Sequence, residues 1–453
     1  MIPLIVLALL QALGCGAGGD GDDPPAPALI TVPPPPPGPP PPSPPIFPVA
    51  RVSVSSSGVP SISDCYRPSI SGDGRYVAFE SDASNLVTGD TNSARDIFVR
   101  DTVAGTTVRV SVDSSGAAGN GPSYFPSISG DGRTVAFKSY ATNLVEDDTN
   151  GAYDIFVRNT ETGTTLRVSL DSWGNQVNGS SHSASISADG RYVAFMSYAT
   201  NLVEGDTNGA DDIFVRDTVA GTTVRVSVAS LGAQSNHDSD VPSISGDGRH
   251  VAFMSRASNL VPGDLNGARD IFVRDTVAET TVRISVDSSG TEGNAGSFSA
   301  AISFDGHCVA FESAANNLVV NDTNGASDIF VRDLAAGTTA RVSVSTSGVQ
   351  GNDVSHFTPS ISADGRYVAF SSFATNLVSG DIYGNYDVFV RDTEAGTTVR
   401  VSVSTSGVEA YGASFDPSIS ADGRHVAFLS QAWNLVPDDT NSVQDVFVCG
   451  PLE

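Results

Sequence analysis

The sequence is poor in positive charge: 24 Lys and Arg stand against 51 Asp and Glu, a formal net charge of -27. Phosphate backbones and anionic lipid surfaces are held by clustered Lys and Arg, so nucleic acid and direct membrane docking are excluded. Cationic or neutral partners and metal ions remain. Cysteine is scarce, with four residues in 453. Cys15 ends the N-terminal apolar run, Cys65 and Cys449 fall towards opposite faces of the body argued below, and Cys308 sits alone in a strand, so no disulfide is expected. No apolar run reaches the ~18 residues of a membrane-spanning helix; the longest, "MIPLIVLALLQALG", stops after fourteen. No segment carries helical periodicity. G-x-S-x-G and H-E-x-x-H are missing, and His182, His237 and His356, placed in loops between units, share no spacing. These absences predict a chain that is not an enzyme.

What is present begins at the N-terminus. Residues 1–14 read as a signal peptide, and residues 15–48 as an acidic, then proline-rich linker ("PPPPPPGPPPPSPP") too polar and extended to bury a core. "ALGC" resembles the bacterial lipoprotein processing site, which implies lipidation of Cys15, with Ala12 in place of the usual Leu. The lipid would be the chain's one membrane contact.

From residue 49 to 453 one unit recurs. "S-x-D-G-R-x-V-A-F" or a near copy places Asp73, Asp131, Asp189, Asp247, Asp305, Asp364 and Asp422 at steps of 58 residues, with one of 59. Each unit has four β-like runs, "PSIS", "YVAF", "DIFVRD" and "TTVRVSV", rich in Val, Ile, Phe and Thr and bounded by Gly, Asn and Asp. Four short antiparallel strands repeated seven times predict an all-β, seven-bladed β-propeller. The chain enters with a spare fourth run, "RVSV" from Arg51, and leaves after a third, "DVFVC" to Cys449, so the N-terminal strand is expected to complete the closing blade. "PSISGDGRYVAFES" followed by "DIFVRD" resembles the WD-repeat-like propeller repeat of the TolB family of bacterial envelopes. That resemblance implies the propeller fold in an exported bacterial protein, a scaffold that serves interaction platforms, enzyme domains and substrate gates alike; this chain departs from it in having seven units rather than six and a long "NLVxGDTNG" insertion.

The loops should differ between faces. The links between second and third runs and between units share one face and are long, while "DGR" and "AGTT" turn tightly on the other. Acidic residues crowd the long loops, with Arg95 and Arg269 among them, whereas Arg of "DGR", "FVR" and "RVSV" is placed near the short turns. Two residues before each "PSIS" proline or its replacement stand Tyr66, Tyr124, His182, Asp240, Phe298, Phe357 and Phe415. Their aromatic members are candidates for binding a sugar or peptide at the channel mouth, or wedges packed between blades.

The long loops carry a pattern suited to a cation. Place 1 is Asp90, Asp148, Asp206, Asp264, Asp322, Asp381 and Asp439; place 7 is Asp96, Asp154, Asp212, Asp270, Asp328, Asp387 and Asp445. Place 3 is Asn92, Asn150, Asn208, Asn266, Asn324 and Asn441, with Tyr383 the departure. Carboxylate, amide oxygen and carboxylate are hard ligands, which makes calcium the expected ion. The competing reading is an Asx turn with the last Asp bonded to the "NLV" asparagine, for example Asp212 to Asn201. Together these features predict an envelope protein, an outer-membrane lipoprotein or else periplasmic or secreted, that binds a protein, peptide or glycan. The alternative is a carbohydrate-active lyase or hydrolase working at the propeller mouth.

Overall fold

The computed structural model describes residues 47–452; the signal peptide, Cys15 and nearly all of the linker lie outside the described residues. Seven sheets of four antiparallel strands form the blades. In blade one the strands are Cys65–Ile70, Tyr76–Ser81, Asp96–Asp101 and Thr106–Arg109, innermost to outermost. Among the described residues no helix is long and apolar enough to cross a membrane.

The two middle strands bury both faces because every blade is covered on each side by a neighbour. Phe79 and Phe98 stack at 5.9 Å within blade one, and Ala78, Ile97 and Val99 pack on Ile128, Val135 and Phe137 of blade two. The axis is laced by side-chain bonds: Ser69 Oγ accepts from Ile128 N (3.1 Å), and the ring closes where Ser418 Oγ accepts from Ile70 N (3.1 Å). The short turns are tight against the next blade. Gly132 has φ +73°, and a Cβ there would collide with the Tyr76 ring, so the glycine of "DGR" answers both to the turn and to blade spacing.

Two boundaries differ from expectation. The innermost strand starts three residues before "PSIS", at Cys65, and carries a bulge between Tyr66 and Ser69 with Arg67 at φ 51°. The outermost strand stops at the arginine of "RVSV", after which the chain leaves the ladder so that Ser111 can turn its hydroxyl onto Asp96 (2.5 Å).

Closure follows the expected path: Val49–Arg51 pairs with Asp445–Cys449 and forms the outer edge of blade seven. Arg51 reaches Asp439 at 2.9 Å and Asp445 at 3.6 Å, and Ser53 Oγ donates to Asp445 Oδ1 (2.5 Å). Removing one partner of a buried ion pair leaves an uncompensated charge. Arg51→Met is therefore expected to destabilise the propeller by roughly 3–5 kcal/mol in chemical denaturation, and deletion of residues 49–55 to lower the Tm further. An unchanged midpoint for either variant rejects this closure.

Candidate functional site

The innermost strands line an axial channel of about 460 Å³, to which all seven blades contribute. At its long-loop end the otherwise uniform repeat varies from blade to blade. Opposite the ring residue of each innermost strand, the second strand places Glu80, Lys138, Met196, Met254, Glu312, Ser371 and Leu429 in turn. The bulged residue and the head of the loop vary as well. Here the strand positions are fixed by the ladder while the side chains are free to differ.

Blades one to three concentrate the chemistry. Arg67, Arg95 and Lys138, the one lysine of the sequence, line a cavity of about 520 Å³ together with Glu80, Tyr66 and Tyr124. Arg95 is committed: its guanidinium binds Asp82 (2.6 Å), approaches Glu80 (3.8 Å), and lies 4.1 Å over the Tyr66 ring. Burial opposes its charge, but Asp82 and Glu80 outweigh it and hold the pKa above the usual range. Arg67 is held by Asp416 at 3.8 Å. Glu80 is buried and accepts from Phe125 N (3.0 Å); burial raises its pKa against the pull of that bond and of Arg95.

Lys138 differs from these cations. Among the described residues it makes no ion pair; it lies 4.6 Å over the Tyr153 ring and 5.1 Å over that of Tyr124, and its Nζ is 3.3 Å from His182 Nδ1. Burial lowers its pKa, opposed by the Glu80 charge. Burial, then Lys138, presses the His182 pKa down to about 4. The pair thus sets an imidazole that is neutral at neutral pH against a lysine whose charge burial disfavours.

A second pair stands across the mouth. His356 Nδ1 lies 2.7 Å from Glu312 Oε1. Glu312 is buried, its Oε2 has no hydrogen-bond partner, and burial raises its pKa.

Of the ring residues expected at the mouth, Tyr66, Tyr124, Phe357 and Phe415 line the same cavity, with Phe357 stacked on Phe415 at 5.7 Å. His182 joins them through Tyr153 (5.7 Å), whereas Phe298 does not line that cavity. In blade six the extra residue of the 59-residue step enters the bulge. His356 therefore takes the ring place opposite Ser371, and Phe357 bulges at φ 69°. His182 and His356 lie on innermost strands rather than in the loops expected for them; His237 is in a loop and exposed. Asp82 and Lys138 escape pattern reading, and Arg95 stands out in it only as a cation among acidic loops. They stand where the units stop resembling one another, and subtracting the repeat would have exposed them.

The acidic loops are arranged around arginine. Arg109 bridges Asp90 (3.0 Å) and Asp96 (3.1 Å), and Arg225 likewise bridges Asp206 and Asp212 (both 3.1 Å). The arginine of "RVSV" is thus at the long-loop face, not near the short turns, because the outermost strand runs towards the long loops before it ends. The place-3 amide donates from Nδ2 to the place-7 carboxylate, as Asn92 does to Asp96 (2.9 Å), and its oxygen accepts from Ala94 N (3.2 Å). The same double role holds for Asn150, Asn208, Asn266 and Asn324. In those loops the amide oxygen is spoken for. Asn201 bonds to Gln176 and Asn178 rather than to Asp212.

Two loops gain a third carboxylate. Asp264, Asp270 and Glu292, and Asp381, Asp387 and Glu409, bring ligand atoms within 4.8 Å of one another and could hold a metal ion. Tyr383 replaces the amide in the second, and burial, then the neighbouring carboxylates, raises Asp381 to about 7. In the structure a guanidinium stands among each trio: Arg400 Nη1 lies 3.5 Å from Asp381, 3.1 Å from Asp387 and 3.2 Å from Glu409, and Arg283 Nη1 lies 2.6 Å from Glu292, so an ion would have to displace an arginine.

No protein-family model matches the chain, and no curated protein matches its sequence. Solved structures do match in fold. Oligogalacturonate lyase from Vibrio parahaemolyticus overlays with a TM-score of 0.53 at 12% identity, covering 90% of this chain and 98% of the lyase. An oligogalacturonate lyase in complex with manganese gives 0.53 and 12%, covering 89% and 93%. TolB from Acinetobacter baumannii is also among the matches, at 0.39 and 15%, covering 83% and 80%. At these identities the shared property is the β-propeller; no sequence match assigns the chain to a particular repeat family. The expectation of a non-enzymatic protein is corrected by the first two structures. A propeller overlaying most of this chain is itself an enzyme, so missing hydrolase motifs are no ground for excluding catalysis.

The Lys138–His182 pair is open to direct measurement. The His182 pKa lies below its ordinary value of 6.5, near 4, so the folded state binds the proton less readily than the unfolded one. Its neutral form contributes to stability above about pH 6.5, and that contribution is lost as the pH falls towards 4. NMR titration of His182 is expected to give a midpoint near 4, moving up in Lys138→Met. A midpoint at the ordinary value in the unaltered protein refutes the coupling.

Proposed function

We propose that this protein is a carbohydrate-active enzyme whose propeller mouth takes a uronate-bearing oligosaccharide and cleaves it by elimination. The observation that carries the reading is Lys138: a half-buried side chain that makes no ion pair among the described residues, set among aromatic rings beside a neutral imidazole. Such a group gains most from an incoming carboxylate, and the Tyr66, Tyr124 and Tyr153 rings suit the apolar faces of a sugar. The lyases of similar fold support the substrate class, as an analogy.

Elimination needs the carboxylate charge neutralised, a base for the adjacent C–H, and a proton for the departing oxygen. In this reading the substrate carboxylate draws Lys138 away from His182 Nδ1. That frees the nitrogen lone pair and raises its basicity. Nδ1 then takes the proton, the C–O bond to the leaving sugar breaks as the C=C bond forms, and a proton from a tyrosine hydroxyl or water goes to the leaving oxygen. Glu80 and Asp82 hold Arg95 in place beside the ring stack and act as positioning residues.

Oligogalacturonate is expected to be converted to an unsaturated product, followed by the ultraviolet absorbance of the new double bond. Lys138→Ala should cost at least ~10²-fold in kcat/KM, the range of one acid–base or electrostatic group. His182→Ala should lower kcat with little change in KM. Binding without turnover would leave the saccharide site and remove the elimination; neither binding nor turnover would remove both.

The two three-carboxylate loops are proposed as the metal sites, with calcium the first ion to try and manganese the second. A bound ion stabilises by about 2.7 kcal/mol per site at a hundredfold excess over its dissociation constant. Either ion should raise the Tm, and Glu292→Gln with Glu409→Gln should abolish the rise. Melting curves that coincide in metal and in chelator end this part of the proposal. Export and lipidation at Cys15 are proposed from the sequence alone, and Cys15→Ser should release the protein from the membrane fraction.

A further inference from the structure

Outside the mouth, one place in the repeat changes its chemistry outright. In five blades an asparagine of the interblade link bonds to a polar side chain of the neighbouring long loop: Asn120 to Thr142 (2.9 Å), Asn178 to Thr200 (2.9 Å), Asn236 to Ser258 (3.0 Å), Asn294 to Asn316 (2.7 Å) and Asn352 to Thr375 (3.0 Å). At blade seven the same two places hold Tyr411 and Trp433, with ring centroids 5.2 Å apart. Tyr383, which replaces the loop asparagine of the other blades, continues the row at 5.2 Å from Tyr411.

These rings do not fill a core. Trp433 is 64% exposed, Tyr383 49% and Tyr411 41%. The polar pairs they replace would hold the loops equally well, so folding does not call for the exchange. Exposed large aromatics offer rigid, amphipathic contact area at little cost in side-chain entropy.

We infer that Tyr383, Tyr411 and Trp433 form a distal sugar-binding subsite that stacks neutral pyranose rings. Trp433 walls a cleft of about 570 Å³ that it shares with Gln431 and Gln444, and Gln444 also lines the mouth cavity. A chain seated at the mouth thus has a path outward across Gln444 to the Trp433 ring. The Gln444 amide is buried, donating to Cys65 O (2.9 Å) and accepting from Gln431 Nε2 (3.4 Å), so Gln431 and the Asp64 carboxylate are the groups that suit sugar hydroxyls. Of the acidic groups on this path, Asp439 is neutralised by Arg51 at 2.9 Å, whereas Asp64 makes no ion pair among the described residues. A uronate would be repelled here, so the sugars bound here are uncharged. The link to the mouth rests on the proposed function; the stacking itself does not.

The sequence has two tryptophans, so Trp173→Phe leaves Trp433 as the one reporter. Cellopentaose, xylopentaose and mannopentaose, titrated separately into that variant, are expected to give a saturable change in Trp433 emission with at least one of them. Tyr411→Asn, which restores the residue of five other blades (Ile62 stands there in blade one), should weaken this by about tenfold or more, the loss of one stacked ring. Trp433→Thr should weaken binding of the responding pentaose, read by calorimetry, by about tenfold or more. No emission change with any of the three sugars overturns the inference, as does a Trp433-dependent dimer in sedimentation, which would make the patch a contact between copies. In Lys138→Ala the emission response should persist; response here with no galacturonate binding at the mouth would reject the proposed function and spare the subsite.

Discussion

The fold hangs on a carboxylate buried at the head of every third strand. Asp96, Asp212 and Asp328 are fully buried, and each is met by a serine hydroxyl at 2.5 Å, an asparagine amide at 2.9–3.1 Å and an arginine at 2.9–3.1 Å. An ionised group in that position is tolerable because nearly all its lone pairs are occupied and its charge is matched. The arginine ends the fourth strand, the serine stands two residues beyond it, and the asparagine comes from the long loop. One side chain therefore fixes where the outer strand ends, how the loop folds back, and, through Arg51 and Ser53, where the chain begins its ring.

This arrangement also accounts for the charge balance. Most arginines are consumed structurally, by the loop carboxylates on one face and by pairs such as Arg75 with Asp101 (2.7 Å) on the other. Burial of Asp101 is outweighed there by Arg75, which holds its pKa down to about 2. The acidic excess left over is distributed around the rim. Against that background Lys138, unpaired among the described residues, is a local exception at the mouth, and an anionic ligand would be steered to it rather than to the disc as a whole.

The propeller separates stability from chemistry by position. Middle strands and loop networks repeat because every blade must pack against two identical neighbours. The first residues of the innermost strands and the last of the second strands meet at the channel mouth instead, where the requirement to match a neighbour lapses. Glu80, Lys138 and His182 in one arc, Glu312 and His356 in another, and the Tyr411–Trp433 pair on the rim all occupy places that the scaffold leaves free. Blade six shows how little is needed: one inserted residue moves His356 onto the ring and turns Phe357 into the bulge.

Blade number, strand order and closure were legible in the sequence, since the 58-residue period and the mismatched ends are one-dimensional signals that admit few closed arrangements. The Asp-Asn-Asp loops were legible as a motif but not as a structure. An amide in a sequence does not reveal which of its ends faces a carboxylate, and nothing in the spacing of Arg109 from Asp90 says that an outer strand delivers the guanidinium there. The mouth was least legible. Glu80 and Phe125 are 45 residues apart, as Lys138 and His182 are 44 apart, and they meet because adjacent blades present the same repeat position to one channel. The sequence determined a ring of seven equal units; only the tertiary structure decided which unequal residues the ring brings face to face, because that depends on the curvature of the closed propeller and not on any neighbour along the chain.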